Sequence, residues 1–139
     1  LTQTLDKSVP LIYSGQEEPV LDSISFFYKD PIGFGKYQRA PFYKTLLELR
    51  KRNPALAANA NFSRLTTGTD DNIYAFLRQK EGNKVLVVTN LSNAPQTFRI
   101  GNASIAGEAT NVFDKTSKEI KAGEEMQLPA WGYAVYEYK

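Results

Sequence analysis

The chain has 139 residues and a mass of 15.6 kDa, with 42% apolar and 23% charged side chains. That composition suits one globular domain, or a small domain with a fragment attached, and excludes disorder as a reading of the whole chain. Seventeen basic and fifteen acidic side chains leave a net +2, too little to draw the chain to nucleic acid or an anionic membrane, so neither is expected as a partner. No cysteine and no histidine are present, which excludes disulfides, thiolate and imidazole metal sites and histidine-activated nucleophiles.

The predicted elements change character near Ala58. Five of the seven prolines fall in the first 54 residues, and glycine and asparagine turns punctuate the rest. Leu1–Ser8 reads as the end of a helix. Val9-Pro-Leu-Ile-Tyr13 is an apolar run of strand formers closed by Ser14-Gly15, the pattern of a strand covered on both faces. Residues 19–38 read as a long aromatic loop in which Phe26, Phe27, Tyr28 and Phe34 are expected to cover a core edge. From Pro41 to Asn53, Phe42, Leu46 and Leu49 recur at helical spacing, with Pro41 suited to the first turn and Pro54 unable to continue it.

Short strands follow. Ile73–Arg78 and Lys84–Asn90 flank a Glu81-Gly82-Asn83 hairpin signal. Gln96–Ile100, Ala109–Phe113, a weak stretch around Glu119-Ile120, Glu124–Leu128 and Tyr133–Tyr138 complete the set, with Asn61–Leu65 as an extra strand. Seven or eight evenly spaced strands predict an antiparallel Greek-key β-sandwich over residues 59–139, preceded by a partial α/β segment over 1–58.

Candidate chemistry is sparse. A glycosidase needs only two carboxylates, but Glu17-Glu18, Asp70-Asp71 and Glu124-Glu125 are sequence neighbours, which point to opposite faces of an extended chain and read as solvated charges. Asp70-Asp71-Asn72 lacks the spacing of a calcium loop and reads as a turn. No phosphate-binding glycine loop occurs, and no cofactor is expected. Arg50, Lys51 and Arg52 read as part of a solvated helix face. Trp131, the single tryptophan, reads as core or as an inter-domain seam before it reads as a flat platform for a sugar ring.

Taken in order, Val9-Pro-Leu-Ile-Tyr-Ser-Gly-Gln-Glu17, Phe26-Phe27, Lys29-Asp30-Pro-Ile, and Phe42-Tyr43-x-x-Leu46-x-x-Leu49-Arg50 running to Asn53-Pro-Ala-Leu56 resemble the last stretch of an α-amylase family barrel. Leu128-Pro-Ala-Trp-Gly-Tyr-Ala-Val-Tyr-Glu137 is similar to the final strands of the β-sandwich that follows that barrel. The nearest likeness is to neopullulanase-like and bacterial starch-utilisation members.

The resemblance implies that residues 1–58 are a remnant of a (β/α)8 barrel: the end of helix seven, strand eight at Val9–Ser14 and helix eight at Pro41–Asn53. It implies a parent acting on starch, maltodextrin or pullulan, with a periplasmic or cell-surface location if the parent serves starch utilisation. Family members draw their three catalytic carboxylates from barrel strands four, five and seven, next to an Arg-x-Asp and a His-Asp that this chain lacks. The fragment alone is therefore expected to be inactive and structural, and to meet α-glucan only through the rest of the barrel. Tyr13, Gly15, Gln16 and Glu17 match the motif at the end of strand eight, where they would shape or brace a cleft wall. Two rivals stay open: a stand-alone carbohydrate-binding or interaction module, and a small glycosidase using Glu17 or Glu18. An orphaned strand edge and apolar helix face further imply self-association, or else collapse of residues 1–58 onto the sandwich.

Overall fold

A computed structural model describes residues 1–18, 20, 23, 25–29 and 31–138. Pro19, where the predicted aromatic loop begins, and Asp30, quoted above, lie outside the described residues. One helix, α1 (Ala40–Arg52), precedes eight strands: β1 (Asn61–Leu65), β2 (Ile73–Lys80), β3 (Asn83–Asn90), β4 (Gln96–Arg99), β5 (Gly107–Asn111), β6 (Ser117–Ile120), β7 (Glu125–Leu128) and β8 (Tyr133–Tyr138). All pairings are antiparallel, in one six-stranded sheet of order β1-β2-β3-β8-β5-β6 and one two-stranded sheet, β4-β7. The chain crosses between sheets at β3–β4, β4–β5, β6–β7 and β7–β8, which interleaves the two layers. The mainly β, antiparallel sandwich expected from the strand spacing is the observed fold.

The larger sheet is buried on both faces, and side-chain alternation divides its strands between two cores. Ala75, Leu77, Leu86, Val88, Ala134, Tyr136 and Tyr138 face β4 and β7, where Phe98, Ile100 and Leu128 meet them. Phe76, Val85, Val87 and Val135 face the opposite way, onto Leu46 and Leu49 of α1 and onto Ala55 and Leu56 of the following 3-10 turn. Burying each of those two helix leucines stabilises the docking by about 2 kcal/mol. At the helix's amino-terminal end the Phe42 ring stacks on Phe113 at 5.5 Å and meets Tyr133 edge-on at 5.4 Å. Arg50, Lys51 and Arg52 occupy the last helical turn, where cations complement the negative end of the helix dipole. The β2–β3 hairpin closes through Glu81 and Gly82, both at positive φ, with Lys80 opposite Asn83.

The first 38 residues depart from expectation. Leu1–Ser8 forms turns, with a single helical hydrogen bond from Leu5 N–H to Leu1 O at 3.0 Å. Val9–Tyr13 is not a strand, and Val9, Leu11 and Tyr13 are exposed. A parallel strand draws its ladder from neighbours on both sides, and none lies alongside it among the described residues. Phe26, Phe27 and Tyr28 cover no core edge; they are 92%, 84% and 79% exposed.

Two arginines, Arg78 buried and Arg50 half-buried, fasten this segment to the sandwich. Arg78 of β2, fully buried, donates through Nη1 to Thr4 O (3.2 Å) and Asp6 O (2.5 Å) and through Nη2 to Ala57 O (2.7 Å). Arg50 of α1 donates to Gln3 O (3.1 Å) and Ser8 O (2.5 Å), so it is an anchor and not a solvated helix charge.

Candidate functional site

The four residues singled out at the predicted strand end form one compact turn. Gln16 N–H donates to Tyr13 O at 3.0 Å, Tyr13 N–H donates to Gln16 Oε1 at 2.9 Å, and Gly15 N–H donates to Glu17 Oε2 at 3.1 Å. Gly15 sits at φ +93, and a Cβ there would lie 3.2 Å from Ile32 Cδ1, so both backbone and space call for glycine. The main chain of Glu17 accepts Arg39 N–H at 3.0 Å, which ties the turn to the start of α1. Tyr13 and Gln16 are exposed.

The next residue carries the tightest constraint, and the sequence reading missed it. Glu18 is 2% exposed, and its Oε1 accepts three consecutive backbone donors: Gly35 N–H at 2.8 Å, Lys36 N–H at 3.0 Å and Tyr37 N–H at 3.0 Å. The Tyr37 amide first, with those of Gly35 and Lys36 and the Lys36 charge, outweighs burial and holds the carboxyl below its ordinary value. A carboxylate so committed closes the base of the aromatic loop; it is poorly suited to the raised pKa a general acid needs. Glu17-Glu18 is thus not a solvated pair. The signal available in sequence was Gly33-Phe-Gly35, whose glycine at φ +135 helps the amides converge.

A shallow groove of about 410 Å³ lies between this turn and the outer face of α1, with Ile12 and Glu17 on one wall and Tyr43, Leu47 and Glu48 on the other. Among the described residues no group of three or more Asp or Glu side chains is placed to hold a metal. Asp70 accepts from Thr67 N–H (2.9 Å) and Oγ1 (3.1 Å) in a turn ahead of β2.

In the turn between β7 and β8, Trp131 is 65% exposed and sits at φ +55, a left-handed conformation costing a bulky residue about 1 kcal/mol. It is not core. The turn bearing it is built on Asn90, a buried side chain whose Nδ2 donates to Ala94 O and Pro129 O, both at 2.8 Å. Trp131 N–H donates to Ser92 O at 3.0 Å and Gly132 N–H to Pro129 O at 2.9 Å.

Residues 73–134, from β2 into β8, match the family described as the α-amylase SusG C-terminal domain. No curated protein matches the chain. Among solved structures it is similar to the noncanonic maltogenic α-amylase AmyB from Thermotoga neapolitana, at 15% identity and a TM-score of 0.80, over 99% of this chain and 34% of that one. It is also similar to the trehalulose synthase MutB, at 21% identity and a TM-score of 0.54, over 70% of this chain and 17% of that one. The chain therefore spans about a third or less of the length of these two proteins, and at such identities the likeness is one of fold. Together with the strand order and the two-sheet core, the family match over residues 73–134 supports the reading of this β-sandwich as a C-terminal domain of the α-amylase superfamily.

Proposed function

We propose that the chain is the carboxyl-terminal region of an α-amylase-type glycoside hydrolase acting on α-glucans such as starch, maltodextrin or pullulan. Residues 1–58 contribute the last strand and helix of its barrel, and the sandwich braces the barrel's flank. The observation that carries this reading is lopsided exposure. Of the fourteen large apolar side chains exposed among the described residues, ten lie in residues 1–37, and an apolar side of that extent is the mark of a surface meant to be covered. Tyr13, Gly15, Gln16 and Glu17 brace that side through the turn described above and take no part in bond cleavage.

The test is to express the polypeptide encoded by the native reading frame through Leu1 and measure reducing ends released from soluble starch. The reading requires an Arg-x-Asp and a later His-Asp upstream, and turnover that is lost when those aspartates become asparagine. A frame lacking them, or turnover by the 139-residue chain that a Glu17→Gln change abolishes, refutes it. Alone, the chain associates with itself through the uncovered side; light scattering showing a monomer at about 50 μM contradicts that part.

A further inference from the structure

We infer that Trp131 is a stacking platform for a pyranose ring of an α-glucan. The inference rests on the α-glucan reading above and adds a binding site to it. Three observations converge on the indole. It is 65% exposed, whereas large aromatics normally bury their area. Its backbone is held at φ +55, where glycine would sit without strain. The strain is sustained from beneath by Asn90, a buried side chain that bonds Ala94 O and Pro129 O and also receives Ser92 N–H (3.0 Å) and Ser92 Oγ (2.7 Å) on its Oδ1. A buried polar network that holds a bulky ring outward in a strained turn is a preorganised presentation, which lowers the ordering cost of binding.

The surroundings select the ligand class. The two segments that flank the indole, residues 90–98 and 126–136, contain no charged side chain, and the turn bonded to them through Leu91 N–H and Asn72 O carries the acidic Asp70 and Asp71, so phosphate, nucleic acid and acidic peptides find no counter-charge in these three segments. The segment whose Ser92 carbonyl accepts Trp131 N–H carries neutral hydrogen-bonding groups: Ser92, the exposed Asn93, and Gln96, whose Nε2 donates to Ser92 Oγ at 3.2 Å. A flat apolar ring beside neutral amides and a hydroxyl matches a neutral polyhydroxyl ligand, whose C–H face stacks and whose rim hydroxyls bond.

Trp131 is the single tryptophan, so intrinsic fluorescence reports on this position alone. Titrating the chain with maltoheptaose should give a saturable emission change with Kd on the order of 1 mM, as expected for one ring and a few hydrogen bonds. Calorimetry on Trp131→Gly, which removes the ring and relaxes the turn, should show at least tenfold weaker binding with an unchanged circular dichroism spectrum. No emission change up to about 20 mM sugar overturns the inference, and so does undiminished binding by Trp131→Gly. In the longer polypeptide, maltoheptaose should protect Trp131 from N-bromosuccinimide oxidation, read by peptide mass spectrometry. A Trp131 already unreactive there without sugar assigns the indole to a protein seam and overturns the platform. Starch hydrolysis by that polypeptide is a separate readout, so either idea can fail without the other.

Discussion

The strongest test of how the two halves are joined is Arg78→Met. Arg78 lies on the face of β2 that meets α1, is fully buried, and supplies hydrogen bonds to the carbonyls of Thr4, Asp6 and Ala57. Methionine keeps much of the stem's packing but leaves three carbonyls without their donor. At about 1 kcal/mol net per hydrogen bond the loss is about 3 kcal/mol. Relief of the buried cation's desolvation and the cost of stranding the carbonyls act in opposite directions around that figure. For a chain of this length, 3 kcal/mol corresponds to a Tm drop of about 10 °C. Urea unfolding followed by circular dichroism should show the midpoint falling with the slope unchanged. Amide exchange should accelerate first at Thr4, Leu5 and Ser8, whose N–H groups bond within the fastened turn. A loss below about 1 kcal/mol, or unchanged exchange at those amides, refutes the view that Arg78 pins the amino-terminal segment.

Three further outcomes follow from the geometry. Because Glu18 has a folded pKa below its ordinary 4.5, its contribution is present above that value and lost as pH falls through the folded pKa. The amide resonances of Gly35, Lys36 and Tyr37 should shift together below pH 4.5, and in Glu18→Gln that titration should vanish while protease nicking of residues 20–34 quickens. Gly132→Ala would place a Cβ 2.7 Å from Pro129 Cδ and 2.8 Å from Pro129 O, so thermal unfolding should reveal a loss of about 2 kcal/mol, whereas Trp131→Gly should be neutral or stabilising by up to about 1 kcal/mol. Phe42→Ala removes the ring shared by Phe113 and Tyr133 and should cost about 2–3 kcal/mol, with exchange rising along α1 before the sheet.

Local chemistry made the sandwich legible. The observed strand limits fall within two residues of the expected ones at nearly every boundary, because turns at Glu81-Gly82, Gly101-Asn102 and Pro129 interrupt runs whose alternation serves a buried sheet. What stayed hidden depends on long-range placement. Arg78 reads as an ordinary polar residue in a strand, and only the return of residues 4–6 and 57 gives it acceptors. Glu18 is indistinguishable in sequence from its neighbour Glu17; its burial follows from three amides seventeen to nineteen residues away. Trp131 follows a sequence that would enter a core, yet the turn on Asn90 rotates it outward.

The first apolar run and the third strand obey one rule with opposite outcomes. A continuous apolar stretch reports that both faces are covered, not what covers them. In β3, Val85 and Val87 lie under α1 while Leu86 and Val88 lie under β4 and β7, so all four apolar side chains are buried within this chain. Val9-Pro-Leu-Ile-Tyr13 is likewise apolar, but Val9, Leu11 and Tyr13 stand exposed. The chain thus supplies both covers for one run and only part of one for the other, where Pro10 and Ile12 are half-buried and Ile12 lines the groove beside α1. That asymmetry supports a missing barrel wall over an independent module, since a self-sufficient binding domain has no reason to keep a two-faced strand sequence uncovered. It also marks residues 9–13 as the place to look for protection: in the longer polypeptide their amides should exchange more slowly, by at least about tenfold, than in the 139-residue chain. Equal rates in the two would mean that nothing covers the run, and the barrel reading of residues 1–58 would fall with it.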